Sequence, residues 1–143
     1  MIALDQVTKQ MIASAFKVGE GLRMTSFFDL VFVFNRGAAF SFLSDAGGWQ
    51  RWFFIVLALS ISAWLIFMLA RHAEERLLSA ALALVLGGAL GNVIDRVLHG
   101  AVVDFLSFHL AGYYWPAFNL ADSAITLGVA LMLWQQFFQG KPE

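Results

Sequence analysis

The stretch WFFIVLALSISAWLIFMLA, Trp52 to Ala70, decides the fold, because its nineteen residues include no Asp, Glu, Lys or Arg. At about 1.5 Å of rise per residue, a helix of this length covers most of a roughly 30 Å hydrocarbon layer. It reads as a transmembrane helix. On its C-terminal side the short polar segment Arg71-His-Ala-Glu-Glu-Arg76 leads to a second uncharged run, Leu77 to Ile94. Gly87, Gly88, Ala89 and Gly91 in that run let a neighbouring helix approach closely. The short turn makes the two spans an antiparallel pair. A third apolar stretch, Leu120 to Phe138, is interrupted only by Asp122 near its start and by Gln135 and Gln136 near its end.

On the N-terminal side of the deciding stretch, Met1 to Val18 places Leu4, Val7, Met11, Ile12, Ala15 and Phe16 at helical spacing. Asp5, Lys9 and Lys17 prevent that helix from spanning alone. Phe27 to Phe34 is rich in Phe and Val, which predicts a short strand. Asn35-Arg36-Gly37 then reads as a turn, with Phe40 to Leu43 as a returning strand of a small surface sheet. Trp49, Trp52, Tyr113, Tyr114 and Trp115 flank the span ends, where amphipathic rings favour the interface.

Composition agrees. The 143 residues are 60% hydrophobic and 13% charged, against roughly a quarter charged in soluble domains, and mean hydropathy is +0.74. The expected fold is a mainly α, polytopic membrane protein, an antiparallel transmembrane helix bundle with a small β-sheet on one face. No linker, repeat or low-complexity tract divides it, so residues 1–143 read as one domain. A net charge of -1 leaves no basic footprint for nucleic acid. The absence of cysteine excludes disulfides and a thiolate nucleophile, and His72, His99 and His109 are too scattered to form a metal cluster. Chemistry must rest on carboxylates, hydroxyls or backbone. Lys/Arg bias does not orient the chain: Lys17, Arg23, Arg36 and Arg51 lie on one side, Arg71, Arg76 and Lys141 on the other.

The polar residues are few and costly. Asp95 and Arg96 end the second span and Asp104 follows in Val102-Val103-Asp104-Phe105, where each charge would cost about 2.5–3.5 kcal/mol at a bilayer centre. For Asp95 and Arg96, mutual charge compensation and substrate contact both remain open. Asp104 and Asp122 each sit among apolar neighbours near one membrane face. Two such acids held close cannot both ionise cheaply, the logic of an aspartic acid/base pair. The alternative for Asp122 is a first-turn acid on a helix N-terminus. Asn35, Asn92 and Asn119 fit either a hold on substrate backbone or turn and cap chemistry, and Asp5 with Lys9, at i and i+4, fits a helix-surface pair. Ser41, Ser44 and Ser123 lack a partner base, which argues against a serine nucleophile.

Four segments together resemble the signature boxes of the lipoprotein signal peptidases (signal peptidase II): Asp5-Gln-Val-Thr-Lys9, Asn35-Arg-Gly-Ala-Ala-Phe40, GNVIDRVLHGAVVDF (Gly91 to Phe105) and FNLADSAI (Phe118 to Ile125). They stand in the family's order across nearly the whole chain. The resemblance implies an aspartic endopeptidase of the bacterial inner membrane, with its site near the periplasmic face. Its substrates would be diacylglyceryl-modified prolipoproteins, cut on the amino side of the modified cysteine without metal or cofactor. It carries Asp104 and Asp122 over as the catalytic pair. Asn35, Gly37, Asn92, Arg96, Asn119 and Ala121 match positions lining the substrate and inhibitor cleft, and Asp5, Lys9 and Asp95 match polar positions supporting it. It also implies membrane-lipid contact, inhibition by globomycin-type peptides and a monomer. Family members carry a full transmembrane helix before the first box, whereas only Met1 to Leu4 precede Asp5 here. The expectation is therefore three full spans plus the remnant of a first. Two other classes compete with the peptidase: a small transporter or channel subunit with Asp95, Arg96, Asp104 and Asp122 as an ion or proton relay, and a non-catalytic lipid-binding module.

Overall fold

The computed structural model describes residues 1–37, 43 and 46–138. Four helices and one sheet alternate along the chain: α1 (Ile2–Ala15), β1 (Gly21–Arg23), β2 (Phe28–Asn35), α2 (Gln50–Arg71), α3 (Arg76–His99), β3 (Val102–Leu110), β4 (Tyr113–Tyr114) and α4 (Leu120–Phe138). The expected helices lie where the apolar runs placed them. Of the expected returning strand Phe40 to Leu43, all but Leu43 falls outside the described residues.

α2 and α3 are long and apolar enough to cross a membrane. Only 17% of the most apolar window of α2 is buried inside the protein, so Trp52, Val56, Trp64 and Phe67 present their side chains outward. At about 25 cal/mol per Å² of apolar surface, such a face is stable against hydrocarbon and not against water. The inner side of the pair packs Leu65 of α2 on Leu82 and Val85 of α3, with Ile125 and Met132 of α4 closing over them.

α4 lies against α3, and glycine sets the closeness of that contact. A Cβ on Gly88 would come within 2.5 Å of the Ala121 carbonyl oxygen, so only glycine admits the α4 backbone there. α3 ends at Gly100, whose left-handed conformation (φ 75°) closes the helix through its N–H to the Arg96 carbonyl oxygen.

The sheet is antiparallel in the order β1-β2-β3-β4. β3 was not expected. Val102, Val103, Asp104 and Phe105 are all buried, and a strand buried on both faces loses the period-two signal that reveals a strand in sequence. β2 pairs with it in a register that sets Val33 opposite Asp104 and Asn35 opposite Val102. An apolar cluster of Ile12, Phe32, Val103 and Phe105 ties α1 to the sheet.

Candidate active site

The first turn of α4 is closed by a reciprocal pair of bonds. The Asp122 N–H donates to Asn119 Oδ1 at 2.9 Å, and the Asn119 N–H donates to Asp122 Oδ2 at 3.2 Å. This capping box satisfies N–H groups that a helix start otherwise leaves without partners. The first-turn role expected for Asp122 is therefore present, and it coexists with a second one.

Asp104, on β3, and Asp122, on α4, both line a cavity of about 780 Å³ together with Asn35, Gly37, Asn92 and Arg96. Each acid is held by amides. Asn119 Nδ2 donates to Asp104 Oδ1 at 2.7 Å and Asn35 Nδ2 to Asp104 Oδ2 at 3.2 Å. Asn92 Nδ2 donates to Asp122 Oδ1 at 2.9 Å. In every case the amide oxygen is already taken by a group that can only donate: the Gly37 N–H for Asn35, Lys9 Nζ for Asn92 and the Asp122 N–H for Asn119. Each amide is thereby forced to turn its NH2 toward a carboxylate.

Burial pushes the Asp104 carboxyl up to about 7, and the Asp122 charge acts in the same direction. Hydrogen bonds from Asn35 and Asn119 and the charge of Lys9 partly offset that rise. A carboxyl that holds its proton near neutrality is suited to general acid work.

Behind the cavity lies a polar core. Asp5 and Lys9 are 0% and 3% exposed, which overturns their reading as a helix-surface pair. Lys9 Nζ is 2.8 Å from Asp5 Oδ2 and 2.8 Å from Asp95 Oδ2. Asp5 Oδ1 accepts the Ala121 N–H at 3.0 Å, joining α1 to α4, while Asp95 Oδ2 accepts the Val103 N–H at 2.9 Å at the start of β3. Gln6, which the sequence reading passed over, donates to Asp95 Oδ1 at 2.9 Å and to the Gly91 carbonyl at 3.1 Å. Its place beside Asp5 in the first box was the available signal.

Asp95 and Arg96 make no direct ion pair among the described residues, although the Asp95 charge still favours the Arg96 cation. Consecutive helical residues point to different faces: Asp95 turns to Lys9, whereas Arg96 donates from Nη2 to the Gly37 carbonyl oxygen at 2.9 Å and stacks on Phe54, 5.0 Å from its ring centroid. Asn119 and Ala121, expected along the cleft, are both 0% exposed and sit behind it. Asn119 braces the acids, and Ala121 packs on Gly88 and anchors Asp5.

Known proteins share this arrangement of elements. A family model described as signal peptidase (SPase) II matches residues 1–138. The lipoprotein signal peptidase of Azoarcus sp. (strain BH72) is 63% identical over 141 residues, covering 99% of this chain and 80% of that protein. That of Ralstonia nicotianae (strain ATCC BAA-1114 / GMI1000) is 56% identical over 132 residues, covering 92% and 76%. A bacterial membrane enzyme solved by the in meso method at 2.3 Å superposes with a TM-score of 0.85 at 35% identity, over 99% of this chain and 87% of that one. A second such structure, at 1.9 Å, gives 0.79 at 37% identity over 92% and 84%. With a family model spanning almost the whole chain and close relatives over most of their length, the chain belongs to the signal peptidase II family.

Proposed function

We propose that this aspartic peptidase removes signal peptides from prolipoproteins with Asp104 and Asp122 as its catalytic pair, cutting on the amino side of the diacylglyceryl-modified cysteine. The observation that carries this reading is the meeting of two acids from different elements at one cavity, each braced by amides whose oxygens are already committed. One carboxylate takes a proton from water as the water oxygen bonds to the scissile carbonyl carbon, and the other acid gives its proton to the carbonyl oxygen. Collapse of that gem-diol breaks the C–N bond: the leaving nitrogen takes the proton that came from water, and one hydroxyl returns its proton to the second acid, so that the carboxylic acid product forms and both acids regain their starting states. General acid–base assistance of this kind contributes roughly 10²–10⁴-fold. Ile125, Leu127 and Ala130 continue the cavity wall along α4, an apolar lining suited to lipid chains.

On the same reading α2, α3 and α4 cross the bacterial inner membrane, the sheet lies at its periplasmic face, and residues 1–143 act as one monomeric domain. Asp122, in the first turn of α4, then stands near the interface, where charge costs less than at the bilayer centre. An ion relay would distribute acids along a path, yet α2 carries none, and Asp5, Asp95, Asp104 and Asp122 gather at one end of α3 and α4.

Purified protein in detergent is expected to process a diacylglyceryl-modified precursor, to stop when globomycin is added, and to fail as Asp104→Asn or Asp122→Asn. Undiminished cleavage by both variants would overturn the catalytic assignment.

A further inference from the structure

We infer that Lys9 is a positioning residue that acts through the Asn92 amide to hold Asp122 as the charged, proton-accepting member of the pair. The inference rests on the catalytic reading of Asp122 and adds to it an order within the pair.

The two acids are treated differently by their surroundings. Asp122 stands at the N-terminus of α4, where the helix dipole and the Asn119 N–H favour a negative charge. Asp104 is on a strand with no such dipole and is 2% exposed. The Lys9 charge reaches both acids, but Asn92 gives Asp122 a hydrogen-bonded path from it that Asp104 lacks. The Lys9 ammonium, a donor with no acceptor capacity, lies 3.0 Å from Asn92 Oδ1, and Asn92 Nδ2 is 2.9 Å from Asp122 Oδ1. Polarised by a cation on its oxygen side, the amide becomes a stronger donor on its nitrogen side. Lys9 also removes the flipped orientation, in which Asn92 would aim its oxygen at the carboxylate. Asn119 Nδ2 reaches the same oxygen at 3.2 Å, but it already serves Asp104 Oδ1 at 2.7 Å.

The charged groups around this relay are Asp5 from α1, Asp95 and Arg96 from α3 and Asp104 from β3, while β2 contributes the neutral Asn35. Asp5 and Asp95 hold Lys9 in place from two helices, which explains why a cation and two acids are buried together some distance from the cavity. With Asp122 charged, Asp104 keeps the proton, as its own surroundings favour. Water then gives its proton to Asp122, and the substrate carbonyl oxygen receives the proton of Asp104.

The test is the pH profile of kcat/KM for precursor cleavage in detergent. Lys9→Met alone would strand two buried carboxylates, so it is paired with Asp95→Asn, which leaves the cluster at its native net charge. Asn92→Ala is the second variant, because it cuts the relay while leaving both Lys9 ion pairs intact. Each is expected to lower kcat by at least 10-fold with KM within about 2-fold, and to move the acid limb upward by about one pH unit. Lys9→Arg should keep the limb near its native position. In the Asn92→Ala background, the Lys9 and Asp95 changes should move the limb by less than half of what they do in the native background. An unmoved acid limb in folded Asn92→Ala protein, or undiminished additivity of the two changes, would overturn the role of Lys9. Retained activity in Asp122→Asn would instead overturn the catalytic reading on which it stands.

Discussion

Asn119 and Asp104 are joined by the shortest of the amide bonds at the acids, 2.7 Å from Nδ2 to Oδ1, and the same Asn119 caps the helix that carries Asp122. One side chain, 0% exposed, therefore sets the position of both carboxylates.

Asn119→Ala should accordingly damage activity and fold together. Loss of the cap costs about 1 kcal/mol, and leaving the buried partners of the amide unsatisfied costs about 1–3 kcal/mol more. Thermal unfolding in detergent should show that loss, and cleavage of the precursor should fall at least 10-fold. Native activity in the variant would mean that Asn119 does not set the acids.

The raised position of the Asp104 carboxyl makes a sign-specific statement about stability. The unfolded chain releases this proton near 3.8, the ordinary value for an aspartate, whereas the folded protein keeps it to about 7. Between those values the folded state binds more protons, so this group's contribution to stability declines as pH rises from about 4 to 7 and then levels off. Asp104→Asn should therefore melt at a higher temperature than the native chain at pH 8, with a smaller advantage at pH 5 and none below pH 4. An advantage that grew toward acid would contradict the assignment.

Gly91 faces Asp5, and a Cβ there would stand 2.5 Å from Asp5 Oδ2. Gly91→Ala must displace a carboxylate bound to Lys9 and to the Ala121 N–H. Overpacking of this kind costs about 1–3 kcal/mol, and activity should fall because α1 and α4 lose their register. Melting temperature and cleavage rate measured on one preparation check both effects.

Gln6 donates to Asp5 Oδ2, the oxygen that Lys9 also meets, and to Asp95 Oδ1, beside the oxygen that Lys9 holds. Gln6→Glu places a third carboxylate against two others and should destabilise more than Gln6→Met, which removes the bonds without adding charge. The order of the two melting temperatures is the measurement, and the reverse order would show that Gln6 does not face the acids.

Much of the scaffold was legible in order of sequence. Trp52 to Ala70, Leu77 to Ile94 and Leu120 to Phe138 are apolar over lengths that favour helix over strand, and the observed α2, α3 and α4 cover them; of the three, α2 and α3 are long and apolar enough to cross a membrane. The four boxes also marked Asp104 and Asp122 before any contact was known. Strand β3 was not legible, since burial on both faces erased its alternation.

What the sequence by itself determined is local: which segments are helices, that their surface suits lipid, and which acids are too costly to be incidental. Only the tertiary structure decided their partners. Asp5 meets Ala121 across 116 positions and Lys9 meets Asn92 across 83, distances over which no helical or strand period carries information. It also separated Asp95 from Arg96, which adjacency had suggested as a pair, and enclosed Asp5 and Lys9, which spacing alone had left on a surface. Period and propensity are properties of neighbouring residues, whereas burial and hydrogen-bond partnership arise only when distant segments pack.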